Sequence, residues 1–178
     1  NNGGDGFVVA RQLHLRKIET KILLLTEPKT LKGDPLINFE IVKGIGIPIK
    51  VIVDGKNSKK ELQNFFCSEP IDIVVDALLG TGVRFPLSNF LTEVIENITQ
   101  FSQVVAVDVP SGIDCDFVGM SNSQMVAPIA ELTVTFTAPK PAHVFPPASN
   151  FSKKLKVVPI GVPKELVESS GSWLNYVT

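Results

Sequence analysis

Three short polar segments carry the side chains of this sequence that could do chemistry. The first is NNGGDG, Asn1 to Gly6, which runs directly into apolar residues. In the second, DALLGTG, Asp76 precedes a glycine loop, and in the third, DVPSGID, Asp108 precedes Ser111. Glycine allows a ligand close to the backbone, and free amides at a helix start attract anions. Two carboxylates in one cleft can bind a cation or act separately as acid and base. These segments indicate a polar ligand site if the fold brings them together.

Each segment also has a purely structural interpretation. A glycine turn can be a tight connection, and an aspartate at a strand end can bond to its own loop. Ser111 lacks both a nucleophile-elbow sequence and a histidine at fixed spacing, so a nucleophilic serine is not favoured. His14, on a predicted helix, and His143, in a proline-rich loop, are interpreted as structural or surface residues. Two aspartates on successive strands, each followed by a glycine loop, favour a site.

Composition restricts the class of protein. The chain has 178 residues, 44% of them hydrophobic, which fits one globular domain with a substantial core. A net charge of −1 gives no indication of nucleic-acid or general membrane binding. The sequence has no apolar run of about 18 residues, which a membrane-spanning helix would need. Cys67 and Cys115 have no CxxC spacing, so neither a disulfide framework nor a zinc site is predicted, and an intracellular compartment is favoured.

Short apolar runs alternate with helical patterns along the chain. The strands are predicted at Lys21 to Thr26, Ile49 to Val53, Ile71 to Leu79, Val104 to Val109, Leu132 to Thr137 and Leu155 to Ile160. Helices are predicted at Asp5 to Leu15, at Pro35 to Lys43 with Asp34 as N-cap, at Ser58 to Phe66 with a Ser58–Glu61 capping box, at Asn89 to Gln100, and briefly from Pro163. A proline-rich loop is predicted at Pro139 to Pro147. The pattern predicts an α/β fold with a mostly parallel sheet covered on both faces, whose ligands bind beyond the carboxyl ends of its strands.

The glycine turn raises an expectation about what precedes it. Such a turn normally follows a β-strand, and none precedes Asn1 in the sequence. We therefore expect a further N-terminal segment before Asn1.

In order and spacing, NNGGDG, DALLGTG, DVPSGID, TVTFTAPK and VVPIGVP resemble the NAD(P)H-hydrate epimerases, the YjeF N-terminal domain family. The resemblance covers Asn1 to about Pro163. It implies a single domain over residues 1–178 with a three-layer Rossmann-like fold, lacking the family's N-terminal helix and first strand. The implied reaction is epimerisation of the R and S forms of hydrated NADH or NADPH, a cofactor repair. A homodimer, a cytoplasmic location and an ATP- or ADP-dependent dehydratase, fused or separate, are also implied.

The resemblance also assigns site residues. A potassium ion would be held by Asn2, Asp76 and Ser111, whose oxygen atoms suit a hard cation. Asp108 would lie beside the substrate ring and act as both acid and base. Lys140, in TAPK, is a recurrent lysine position without an assigned role. The dinucleotide would be surrounded by Asn1, Asn2, Gly3, Gly4 and Asp5, and by Gly80, Thr81, Gly82, Val83, Arg84, Phe85 and Pro86.

Two other functions compete with this one. A non-catalytic binding or scaffold module with the same fold would have no reason to keep Asn2, Asp76, Asp108 and Ser111 together. An ordinary nicotinamide oxidoreductase would be expected to carry GxGxxG and a clear ribose-binding acid. The sequence has NNGGDG instead, and Thr26-Glu27-Pro28 matches such an acid weakly.

Overall fold

The computed structural model describes residues 3–116 and 125–169, apart from the side chain of Lys164. Strands and helices alternate along most of this part of the chain. The helices are α1 (Gly3–Leu15), α2 (Gly33–Gly44), α3 (Ser58–Cys67), α4 (Asn89–Ile98), α5 (Pro141–Val144) and α6 (Lys164–Glu168). The strands are β1 (Ile22–Leu24), β2 (Ile49–Val51), β3 (Val74–Asp76), β4 (Val104–Val107), β5 (Leu132–Phe136) and β6 (Leu155–Val158). Short 3₁₀ helices lie at Pro28–Thr30 and Ala148–Phe151.

All of the strand pairs are parallel. β1 pairs with β2, and β3, β4, β5 and β6 pair in that order in a four-stranded ladder. Asp76 lies opposite Ala106, and Val107 lies opposite Val134, so β3, β4 and β5 end at the same edge. The predicted parallel α/β arrangement is confirmed, and its hydrogen bonds form two ladders.

Alternate residues of β1, together with Leu25 directly after it, show how the layers are arranged. Ile22 and Leu24 pack in a cluster with α1 and α2, whereas Leu23 and Leu25 pack in a cluster with α3 and α4. Successive side chains of a strand point to opposite faces, so the two helix pairs cover opposite sides of the sheet. Helices therefore form the outer layers of a three-layer fold. None of the described helices has the length and hydropathy needed to cross a membrane.

One predicted helix start and one predicted capping box were wrong, although α3 begins at Ser58 as predicted. α2 begins at Gly33 with Lys32 as N-cap, so Asp34 lies in the first turn, where its charge still favours the free amides. α3 has Asn57 as N-cap, and Ser58 lies inside its first turn, where its hydroxyl donates to the carbonyl of Gly55 at 2.9 Å. The predicted capping box is therefore absent there. A hydrogen bond that the pattern did not predict caps α4, whose Leu91 amide donates to Ser88 Oγ.

Most predicted strands were too long, and one predicted loop contains a helix. β3 covers only Val74–Asp76 of the predicted Ile71 to Leu79, because the chain beyond Asp76 bonds to another loop. Within the proline-rich segment, α5 covers Pro141–Val144, and Pro141 at its start needs no amide partner. This helix is important for the site.

Two glycines allow segments to approach each other closely at the carboxyl edge of the sheet. A Cβ atom on Gly6 would lie 2.9 Å from the Ala77 side chain, so α1 begins against the end of β3. Gly112 has a φ of +101°, and a Cβ atom there would lie 2.0 Å from the carbonyl oxygen of Val126. The loop after Asp108 therefore depends on glycine at position 112.

We expect Gly112→Ala to lower the free energy of unfolding by about 3 kcal/mol, because it combines backbone strain with a main-chain clash. Gly44→Ala is the matched control, since a Cβ atom at Gly44 meets nothing within 4 Å. Chemical denaturation of the two variants measures the difference. Equal stability of both variants would contradict the close approach.

Candidate active site

Asp76, the last residue of β3, is a buried carboxylate held by neutral donors. Its side chain is 1% exposed. The hydroxyl of Ser111 donates to Oδ1 at 2.6 Å, the Ser111 amide donates to Oδ2 at 2.7 Å, and the Leu78 amide donates to Oδ1 at 3.3 Å. Ser111 Oγ in turn accepts from the Leu79 amide at 2.9 Å. The end of β3 is therefore bonded to the loop that follows β4.

Burial raises the pKa of Asp76, and the three hydrogen bonds from Ser111 and Leu78 oppose that shift. Among the described residues, no lysine or arginine forms an ion pair with it. A buried carboxylate without a cationic partner, beside a hydroxyl oxygen, has the ligand chemistry of a hard cation site. The residues therefore fit the expected ion.

Asp108 directly follows β4 and has a different environment. Its backbone has a φ of +70°, and its amide donates to the carbonyl of Val134 at 2.8 Å. Its Oδ1 atom accepts from Lys140 Nζ at 2.6 Å and from the Thr135 hydroxyl at 2.8 Å. The residue is 6% exposed. Asp108 is thus held by a cation, whereas Asp76 is held by neutral groups.

His143, on α5, connects Asp108 to Lys140 through their main chains. Its Nδ1 atom accepts from the Lys140 amide at 3.0 Å, so the proton of the neutral ring lies on Nε2, which donates to the Asp108 carbonyl at 2.8 Å. Burial lowers the pKa of His143, and the positive charge of Lys140 also lowers it, whereas the bond to the Asp108 carbonyl and the negative charge of Asp108 oppose the shift. His143 is therefore a neutral imidazole at neutral pH, buried as the sequence interpretation allowed, but in contact with the site.

The glycine-rich first turn of α1 lies against the end of β3, because a Cβ atom on Gly6 would lie 2.9 Å from the Ala77 side chain. The pKa of Asp5 is raised by partial burial and then by the negative charge of Asp108. A Cβ atom on Gly4 would lie 3.6 Å from Pro35, whereas Gly3 is open. Asn1 and Asn2, expected at the site, lie outside the described residues. Asp76 and Ser111 are hydrogen-bonded to each other, and Asp108 lies at the end of the adjacent strand β4.

The second predicted loop, Gly80 to Pro86, forms part of the same edge. The Thr81 carbonyl accepts a hydrogen bond from Cys115 Sγ at 3.5 Å, which ties the loop to the segment after Asp108. Phe85 is 47% exposed, and Pro86 is also exposed. A cavity of about 240 Å³ is lined by Leu79, Gly80, Gly82, Val83, Arg84, Leu87 and Leu91. Neither Asp76 nor Asp108 lines that cavity, so the cavity formed by this loop is separate from the two carboxylates.

Sequence reasoning missed three contacts of Asp108. They come from Thr135, Lys140 and His143. A signal was present in β5, where Thr133 and Thr135 alternate with apolar residues and are buried. A polar residue on the buried face of a strand needs a hydrogen-bond partner. The TAPK lysine then follows Thr135 by five positions.

The fold and the paired aspartates define a class: a parallel α/β protein of Rossmann-like architecture with a carboxylate site at the carboxyl edge of its sheet. The family model for the YjeF-related protein N-terminus matches residues 1–142. The chain belongs to that family.

Relatives with known names support the assignment. The chain is 36% identical over 94% of its length to proteins named NAD(P)H-hydrate epimerase from Rhodopirellula baltica and Pirellula staleyi, and it spans 65% and 72% of those proteins. It is 35% identical to a Moorella thermoacetica protein named bifunctional NAD(P)H-hydrate repair enzyme Nnr, of which it spans 31%. The crystal structure of the yeast protein ynu0 aligns with a TM-score of 0.74, covering 99% of this chain and 70% of the yeast chain. At 21% identity, that likeness concerns the fold.

In potassium-free buffer, we compare the free energy of unfolding of the wild-type protein with that of Asp76→Asn. We expect the wild-type value, relative to the value for the variant, to fall as pH rises from 4 to 7. The folded state raises the pKa of Asp76 above its ordinary 3.8, so it holds a proton that the unfolded chain has lost. This contribution is present at low pH and is lost as pH rises, by at most about 1.4 kcal/mol per pH unit. Urea denaturation of both proteins across this range measures it. A difference in free energy of unfolding that does not change with pH would contradict a raised pKa of Asp76 in the folded state.

Proposed function

We propose that the protein interconverts the R and S epimers of hydrated NADH and NADPH. The observation that carries the proposal is Asp108, a carboxylate at the carboxyl edge of the sheet whose Oδ1 atom is anchored by Lys140 and Thr135. Support also comes from the names of the relatives at 36% identity. The function rests on the carboxylate and on family membership together.

The chemistry requires one group that can give and take a proton. Hydration leaves a hydroxyl on the carbon beside the nicotinamide ring nitrogen. When the nitrogen lone pair forms a C=N⁺ bond, the C–O bond breaks, and a proton given to the departing hydroxyl releases water. Water then adds to the other face of the ring and returns a proton. No redox partner is needed, since the ring regains its original composition.

Asp108 is the group that we assign to this proton transfer. Protonated, it assists departure of the hydroxyl. The carboxylate that remains then stabilises the cationic ring by its charge and accepts the proton of the incoming water. Within this proposal, the exposed loop with Arg84 contacts the dinucleotide phosphates.

Asp76 and Ser111 would hold a potassium ion, together with Asn2, in this proposal. When bound, the ion supplies the positive charge that the buried Asp76 carboxylate lacks among the described side chains. Asp76 and Ser111 also orient the chain through Leu78 and Leu79. The carboxylate is therefore assigned to binding and positioning, not to proton transfer.

The bifunctional names of several relatives point to a second activity nearby. We propose that the protein works with an ATP- or ADP-dependent dehydratase that removes the hydrate, either fused to it or as a separate chain. Epimerisation would convert the form that such an enzyme does not accept into the form that it does. A homodimer and a cytoplasmic location remain predictions.

We expect Asp108→Asn to bind hydrated NADPH but to lower kcat for R/S interconversion by about 10²- to 10⁴-fold, the usual contribution of general acid–base catalysis. Chromatographic separation of the epimers over time measures the rate, and calorimetry measures binding. Asp72→Asn, at an exposed residue just before β3, is the control. Wild-type rates in Asp108→Asn would refute the role. Binding without interconversion by wild type would favour a non-catalytic module.

We expect potassium to stabilise the wild-type protein against thermal unfolding and to leave Asp76→Asn unaffected. Ligand linkage gives about 1.4 kcal/mol when free potassium is ten times Kd. Melting curves in potassium chloride are compared with curves in tetramethylammonium chloride at equal ionic strength, so that screening is matched. Equal melting temperatures of the wild-type protein in both salts would exclude the ion from this site.

A further inference from the structure

Lys140 uses all of its hydrogen-bond donors on one small group of oxygen atoms. Its ammonium group donates to Asp108 Oδ1 at 2.6 Å, to Thr135 Oγ1 at 2.6 Å and to the Phe136 carbonyl at 3.1 Å. An ammonium group has three N–H bonds, so these acceptors occupy it completely. Its side chain is 20% exposed. Lys140 therefore has no donor left for a substrate.

The two carboxylate oxygens of Asp108 are not equivalent. Oδ1 accepts from both Lys140 and Thr135. No donor from the described residues reaches Oδ2, and every buried side-chain nitrogen or oxygen atom of that part of the chain has a partner. Among the described residues, Oδ2 is therefore the carboxylate oxygen without a donor. It is the oxygen atom that remains for exchanging a proton with a ligand.

The main chain fixes the positions of the same groups. His143 bonds to the Lys140 amide on one side and to the Asp108 carbonyl on the other. Asp108, with its φ of +70°, and the first turn of α5 are thus joined by one buried ring. The lysine and the aspartate are held independently of the ion pair between their side chains.

We propose that Lys140 is a positioning residue for proton transfer by Asp108: it holds Oδ1, so that Oδ2 alone exchanges the proton. The inference rests on the proposed epimerase function. Oδ2–H gives its proton to the departing hydroxyl, and Oδ2 takes one from the returning water. Lys140 loses and gains no proton in either direction. Its charge balances the carboxylate while the ring is cationic.

The test compares Lys140→Met, which removes the ammonium group, with Lys140→Arg, which keeps a cation. Lys153→Met is the matched control, because Lys153 forms an ion pair with Glu131 and is 56% exposed. For Lys140→Met we expect kcat to fall about 100-fold with KM close to wild type. Lys140→Arg should retain more of kcat than Lys140→Met, and Lys153→Met should match wild type.

Chemical rescue separates positioning from a general loss of structure. Lys140→Ala is assayed with added methylammonium or ethylammonium, which can return a cation to the vacated volume. We expect kcat to rise with amine concentration, without a comparable rise for Lys153→Ala. Circular dichroism checks folding. If Lys140→Ala is unfolded, the test rests on kcat of Lys140→Arg compared with kcat of Lys140→Met.

The outcomes distinguish this inference from the proposed function. If wild type does not interconvert the epimers, the proposed function fails and the inference fails with it. If wild type is active and Lys140→Met is equally fast, the inference alone is overturned. A slow Lys140→Met variant with recovery by arginine or by amine supports positioning, and recovery by neither overturns it.

Discussion

The arrangement of the site depends on the buried carboxylate of Asp76. Placing a carboxylate at 1% exposure has a large desolvation cost, which its hydrogen bonds partly offset. Two of those bonds come from the hydroxyl and amide of Ser111, so the end of β3 is tied to the loop after β4. The Leu79 amide donates to the Ser111 hydroxyl oxygen, so the start of the glycine loop after β3 is held by the same serine. One side chain thereby sets the relative position of two of the three polar segments.

The two aspartates lie on adjacent strands but have different surroundings, and this difference separates their roles. Asp76 accepts all of its described hydrogen bonds from neutral donors, whereas Asp108 contacts the ammonium group of Lys140. The first arrangement leaves negative charge to be balanced by a bound cation. The second balances the charge on one oxygen atom, and no donor from the described residues occupies the other. Pairs of carboxylates in unlike environments commonly divide binding from proton transfer.

Sequence patterns predicted the parallel sheet, because strands are recognised from local runs of apolar residues. They also placed Asp76 and Asp108 near strand ends, because each aspartate lies near the end of such a run. They predicted strand ends poorly: the predicted Ile71 to Leu79 stops at Asp76, where bonds to Ser111, 35 residues away, redirect the chain. The capping box predicted at Ser58 was also wrong, since Ser58 lies in the first turn of α3 and its hydroxyl donates to the Gly55 carbonyl. Lys140 and His143 could not be assigned from spacing alone, because both act on a residue more than 30 positions earlier.

The backbone conformation of Asp108 helps to fix the direction in which its side chain points. A φ of +70° costs a non-glycine residue about 1 kcal/mol or more, although aspartate tolerates it better than most. The bond from its amide to the Val134 carbonyl and the bond from His143 to its own carbonyl offset that cost. Since both main-chain groups are held, the direction of the Cα–Cβ bond is fixed independently of the contacts made by the Asp108 carboxylate. Lys140 then has only the carboxylate rotation to restrict, which a single ion pair with a fully occupied ammonium group can do.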